Sequence, residues 1–274
     1  MYKLVCQQAR LTGHWRKAKI ARMTRTIAVA SQKGGVGKTT STINLAAAFA
    51  ERGCRVLLID FDPQAALTMS MGVERQTLKR SIYEALTTPL PFGAVIAHVR
   101  HYVDLLPATI DLAGAEADLM GEVAREQVLR RKLKDFKDRY DWVLIDCPPS
   151  LGLLTINALT AADGVLIPVQ TQYLAFRGMQ LLLQLVAKIQ DRANGDLKVA
   201  GLLPTMFDSR ITHDNEVLDE LRATYPEWLI DIPIKRRSAI ADAVVAGQSI
   251  LEFRGNSDVA TSYRRVAEVL SNGF

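Results

Sequence analysis

The chain holds 274 residues, 49% of them hydrophobic and 23% charged, which supplies one sizeable buried core and excludes a disordered polymer. No uninterrupted apolar stretch approaches the roughly 18–20 residues needed to cross a bilayer, and the first residues lack a signal peptide's apolar region, so a cytoplasmic protein is expected. Cys6, Cys54 and Cys147 are scattered, with no Cys-x-x-Cys spacing and no even framework, and the last two read as buried thiols.

The net charge of +5 is local. Residues 1–22 carry Lys3, Arg10, Arg16, Lys17, Lys19 and Arg22 and no acid, and taking those six from +5 leaves −1 for the rest. Basicity as a whole is therefore no argument for nucleic-acid binding. Residues 1–23 are set apart as a basic N-terminal extension, expected to be a disordered or dispensable tail. An arm touching DNA phosphates, or vector-derived or mis-started translation ahead of Met23, are the other readings.

Residues 26–30, short, apolar and partly β-branched, predict a buried strand. Ser31-Gln32-Lys33-Gly34-Gly35-Val36-Gly37-Lys38-Thr39-Thr40 follows, and then Ile43, Ala46, Ala47 and Ala50 recur as on one buried helix face. Strand, glycine turn and helix form the setting of a phosphate-binding loop. The glycines turn backbone N–H groups inward, and the helix start adds free donors and a positive dipole end. Lys38 is expected to neutralise the β/γ-phosphates, and the Thr39 hydroxyl to hold Mg²⁺. Gly34, Gly35, Val36 and Gly37 are expected to complete the cradle.

Residues 55–60 predict a second buried strand, entered after Gly53 stops the helix and ended by Asp60. The turn Asp60-Phe61-Asp62-Pro63-Gln64 follows. Ligands in open α/β sheets sit beyond the carboxyl ends of strands, so both aspartates are expected near the phosphates. Short helices are predicted around 65–71 and 81–87, a strand at 102–106 and a helix over 112–136. His98 and His101 lie three apart with no matching carboxylate or cysteine set, which argues against a metal pair. Residues 142–146 are a strand ending in Asp146, the form of a Walker B strand whose carboxylate supports Mg²⁺. Helices are expected at 153–160 and 173–190, and strands at 165–169, 199–205 and 229–232. Further helices are expected near 213–223, 237–246 and 256–271. This alternation predicts a mainly parallel twisted sheet with helices on both faces.

Lys33-Gly-Gly-Val-Gly-Lys-Thr lacks the usual glycine five residues before the Gly-Lys pair and has an extra lysine, and so resembles the deviant Walker A motif of the ParA/MinD class of P-loop ATPases. The resemblance to the ParA family runs from about residue 24 to the end. Its further markers are Val56-Leu-Leu-Ile-Asp-Phe-Asp-Pro-Gln64, Leu144-Ile-Asp-Cys-Pro-Pro149, Ala161-Ala-Asp-Gly-Val-Leu-Ile-Pro-Val-Gln170 and Thr205-Met-Phe-Asp-Ser-Arg210. It implies a partition ATPase, cytoplasmic and nucleoid-associated, that uses ATP and Mg²⁺. It further implies a homodimer formed on ATP, binding to nonspecific DNA, and stimulation by a ParB-type centromere-binding adaptor, with no membrane partner. By position, Lys33 reaches the partner's nucleotide, Asp62 orients the attacking water, Asp60 and Asp146 support Mg²⁺, and Thr40 takes the α-phosphate. Met206 and Pro233 border the adenine, and Arg210 and Arg237 contact DNA, with Lys235 and Arg236 making the second site a cluster.

Two departures stand out. Ile232-Pro-Ile-Lys235 replaces the family's Ile-Pro-Arg-Asn, and Gln172 and Arg177 stand where acids are usual. The competing expectations are a MinD-type membrane-surface ATPase, which needs an amphipathic C-terminal helix with an apolar face for lipid, and a metallocluster reductase, which needs paired cysteines at a dimer seam.

Overall fold

A computed structural model of the chain describes residues 24–134, 136–172 and 175–273. The basic extension at 1–23 lies outside the described residues. Among those described, eight strands form one sheet: β1 (Arg25–Val29), β2 (Val56–Asp60), β3 (Ala97–Arg100), β4 (Val103–Leu106), β5 (Trp142–Asp146), β6 (Gly164–Gln170), β7 (Lys198–Phe207) and β8 (Ile234–Lys235). Their order is β3-β4-β2-β5-β1-β6-β7-β8. Every neighbouring pair is parallel except β3 with β4. The helices are α1 (Lys38–Glu51), α2 (Ala66–Ser70), α3 (Ile82–Thr87), α4 (Ala115–Asp118), α5 (Val128–Lys134), α6 (Leu153–Ala161), α7 (Ala175–Arg192), α8 (Thr212–Thr224), α9 (Ser238–Val245), α10 (Ile250–Phe253) and α11 (Asp258–Asn272).

The period-two alternation of the strands divides the core into two layers. Ala28, Leu57, Ile59, Val143 and Ile145 pack against α3, α5, α6 and α7. Ile27, Val29, Val56, Leu58, Trp142 and Leu144 pack against α1 and α11 on the other face. Both faces are covered, so the central strands read as continuous apolar runs rather than alternating ones. Each fully buried Leu, Ile or Val contributes roughly 1.5–3 kcal/mol.

Helix α1 is fixed from three sides. Phe49 stacks on Trp142 with ring centroids 4.1 Å apart. The buried Tyr263 of α11 places its hydroxyl 3.3 Å from Ser41 Oγ. Asn44 accepts the Ile250 N–H at 2.8 Å and donates to the Thr40 carbonyl at 2.7 Å. These contacts hold the start of α1, and with it the glycine loop, against the sheet.

The described residues depart from the sequence expectation in three places. Residues 112–136 are not one helix but a chain of short turns and 3₁₀ segments ending in α5, with Ala124 in a left-handed conformation at φ 53°. A left-handed residue cannot continue an α-helix. The expected strand at 229–232 shrinks to a single bridge between Leu202 and Leu229, and pairing with β7 resumes only after Pro233, at β8. Strand β3 was not expected. It is a four-residue antiparallel edge with a register irregularity, too short to show a period. Residues 173 and 174, where the long helix was expected to start, lie outside the described set. No described helix is long and apolar enough to cross a membrane.

Candidate active site

The carboxyl ends of β1, β2, β5, β6 and β7 point the same way, and the loop after β1 lies across them. Gly35 and Gly37 have φ of 73° and 91°, a region that a side chain strongly disfavours, so the loop's path needs both. Between them Val36 is buried and anchors the loop, and its carbonyl accepts the Thr205 hydroxyl of β7 at 2.8 Å. Gly37 is the N-cap of α1, whose first turn carries no acid, so the helix start keeps its positive end for a ligand. Gly34 is exposed, and Thr40, in the first turn of α1, is half-buried.

Lys38 is only 7% exposed. Burial lowers its pKa, against the opposing pull of Asp146, Cys147 and Asp62. Its ammonium reaches the Lys33 carbonyl oxygen at 3.5 Å, a long contact that leaves the charge underused. A multiply charged anion in the glycine loop meets that deficit.

Asp146, at the end of β5, is buried, and Asp60, at the end of β2, lies beside it in register. Burial pushes the Asp146 carboxyl up to about 8, with the Asp60 charge adding to the effect. Burial likewise raises Asp60 to about 6, opposed by its hydrogen bonds from Thr68. The two differ in what they offer. Asp60 Oδ2 accepts both the Thr68 hydroxyl at 2.6 Å and the Thr68 N–H at 2.8 Å, and its Oδ1 takes the Asp62 N–H at 3.3 Å. Asp146 Oδ2 accepts the Thr39 hydroxyl at 2.6 Å, while its Oδ1 is buried without a hydrogen-bond partner among the described residues. An orphaned carboxylate oxygen beside a threonine hydroxyl fits a hard divalent cation held partly by its substrate. Among the described residues no group of three or more His, Cys, Asp or Glu forms a site made of protein alone. Of the expected metal residues, Thr39 and Asp146 thus present the opening, and Asp60 braces α2 behind them.

Asp62 is half-buried at the mouth of the site. Its Oδ1 accepts the Gln64 N–H at 2.9 Å, and its carbonyl accepts the Ala65 N–H at 2.8 Å, which fixes the turn. Lys33 does not lie over the loop of its own chain. Its ammonium donates to Gln170 Oε1 at 2.9 Å and Gln172 Oε1 at 3.0 Å. Cys147 is fully buried, and burial pushes its thiol well up, so it is a packing group. Met206, at φ 56°, and Pro233 are half-buried at the β7–β8 rim, adjoining the loop through Thr205.

The cationic residues expected on the surface gather at that same rim. Arg210 grips Asp208 through two bonds of 3.0 and 2.7 Å. Those bonds hold the Asp208 carboxyl well below the usual range, with Arg237 contributing. Asp258 receives Arg237 at 2.7 Å and Lys235 at 3.4 Å. Arg236 is exposed, and its backbone N–H donates to the Phe207 carbonyl at 3.0 Å.

Sequence reasoning missed the roles of Thr205, Gln170, Thr68 and Asn44. Each acts through a partner that the fold brings near, and none carries a local signal.

A family model described as an AAA domain matches residues 24–199. The chain is 42% identical over 253 residues to the sporulation initiation inhibitor protein Soj of Bacillus subtilis, covering 92% of this chain and 100% of that one. It is also 42% identical to the chromosome-partitioning ATPase Soj of Thermus thermophilus over 247 residues, covering 89% of this chain and 94% of that one. Among solved structures, it resembles cobyrinic acid a,c-diamide synthase from Mycobacterium smegmatis with bound ATP analog and magnesium. The TM-score is 0.79 and the identity 42%, over 89% of this chain and 93% of that one.

Proposed function

The chain belongs to the ParA/Soj family of chromosome-partitioning ATPases, and on that premise we propose that it is a DNA-segregation ATPase that dimerises on ATP, binds DNA without sequence preference and hydrolyses ATP when a ParB-type adaptor stimulates it. The single observation that carries the reading is the buried pair Lys38 and Asp146 with the half-buried Thr39 between helix and strand: an undercompensated ammonium and an orphaned carboxylate oxygen beneath a glycine loop.

Phosphoryl transfer of this type requires charge neutralisation, an in-line water and a dry site. The N–H groups of the loop and the start of α1 cradle the phosphates, and Lys38 neutralises the β/γ oxygens. Thr39 and Asp146 would hold Mg²⁺, which when bound supplies further charge neutralisation on the phosphates. Asp62, at the mouth, orients the attacking water. Thr40 takes the α-phosphate, and Met206 with Pro233 borders the base. Lys33 leaves Gln170 and Gln172 for the nucleotide of the second subunit, so each site is completed by the other chain. The basic rim, Arg210, Lys235, Arg236 and Arg237, contacts DNA phosphates.

The alternative of a membrane-surface ATPase finds less support. The apolar face of α11, with Val259, Tyr263, Val266 and Leu270, is buried against the sheet rather than offered to lipid. The test is light scattering with ATP, ADP and no nucleotide, on wild type and on Lys33→Ala. A dimer formed only with ATP, together with loss of turnover in Lys33→Ala, supports the reading. A monomer under every condition, with Lys33→Ala turning over normally, defeats it.

A further inference from the structure

The opposite end of the sheet carries a second polar cluster that the ATPase reading does not use. Strands β2, β4 and β5 begin there, and a strand of five residues puts it roughly 15 Å from the glycine loop. A cavity of about 370 Å³ opens between the β3–β4 hairpin and the turn before β5, lined among others by Arg55, His98, Tyr102, Asp104, Arg139 and Tyr140. That volume suits a small molecule.

Among the described residues, Asp104 is the one acid lining the cavity, and both of its oxygens are engaged. Oδ1 lies 2.6 Å from His98 Nδ1, and Oδ2 accepts the Tyr140 hydroxyl at 2.7 Å. The neighbouring Asp141 has an oxygen committed to the Arg55 backbone N–H at 2.8 Å. Arg139 is steadied over the Phe136 ring, 4.9 Å from its centre. Burial and the bond to Asp104 push the Tyr140 hydroxyl up, and the charges of Arg139 and Arg55 oppose that rise. Tyr102, a bulky residue at φ 63°, holds a strained left-handed conformation at the cavity wall.

A latch that merely fastened the edge hairpin would need His98, Asp104 and Tyr140. It would need neither two arginines lining the same cavity nor a strained tyrosine. We propose that this cavity binds a small phosphate-bearing anion. Arg55 and Arg139 supply forked N–H donors suited to tetrahedral oxyanions. Asp104 orients the His98 ring through Nδ1, which leaves Nε2 for a phosphate oxygen or its proton, and the Tyr102 ring walls one side.

The experiment titrates sodium phosphate into protein already saturated with ADP and Mg²⁺, with ionic strength held constant by sodium chloride. The imidazole NMR signals of His98, assigned with His98→Gln, report binding. The titration is repeated in Lys38→Ala, so that a failure of the nucleotide reading is distinguished from a failure of this one. The expected result is a saturable shift at millimolar phosphate in both backgrounds, with the apparent Kd raised at least about tenfold in Arg55→Gln/Arg139→Gln. ATP turnover and melting temperature should stay at wild-type values in that variant, and either single arginine variant serves if the double one melts early. A shift that never saturates, that sodium chloride alone reproduces, or that persists unchanged without the arginines overturns the proposal.

Discussion

The glycine loop and the β7–β8 rim both present positive charge, and they do so by opposite physics. In the glycine loop one lysine, Lys38, is 7% exposed, and burial depresses its pKa. At the β7–β8 rim, Arg210 has 84% of its side chain exposed and is already paired with Asp208. A buried charge with poor compensation gains much from a ligand, because little water competes. An exposed, paired arginine gains little per contact and is screened by salt. The first arrangement suits one tightly held triphosphate. The second suits many weak, sequence-blind contacts to a polymer.

The largest effect should follow from Lys38→Ala, which removes the buried cation and leaves Asp146 and Asp62 facing the phosphates. ATP affinity, measured with a fluorescent analogue, should fall by at least about a hundredfold, in line with breaking a buried charge pair. Asp146→Asn keeps the shape and the Thr39 contact while removing the charge. Turnover should drop by about a hundredfold, and the tightening of nucleotide binding by added Mg²⁺ should disappear. In the rim, Arg210→Ala with Arg237→Ala should flatten the slope of log affinity against log salt for duplex DNA by about 0.9 per lost phosphate contact, leaving nucleotide affinity within about twofold. Smallest is Asp258→Asn, which frees Lys235 and Arg237 from their shared carboxylate. DNA affinity should rise by only a few fold, because exposed pairs are weak. If the double arginine variant instead loses ATP binding, the two regions are not separable in this way.

The buried region was the more legible of the two in the sequence. Its signals are local: apolar runs ending in Asp60 and Asp146, glycines where φ must be positive, and the lysine and threonine that follow them. The division of labour between the two aspartates was not legible, because it depends on Thr68, eight residues beyond Asp60, folding back onto it. Nor was the rest of Lys33 on Gln170 and Gln172, since that contact spans well over a hundred residues and exists only because β6 lies beside β1. Arg210 has its partner, Asp208, two residues before it, whereas the partner of Arg237 was not legible, because Asp258 arrives from the start of α11. Strand β3 and the broken segment at 112–136 escaped for a simpler reason. Elements of three to five residues are set by their tertiary neighbours and show no period of their own.

The most direct test is fluorescence anisotropy of labelled nonspecific duplex DNA across a salt series, with ATP and Mg²⁺, with ADP and Mg²⁺, and without nucleotide. The account predicts binding with ATP alone, falling steeply as salt rises and absent in Lys38→Ala. Equal binding in all three states, or binding with ATP that salt does not weaken, would contradict it.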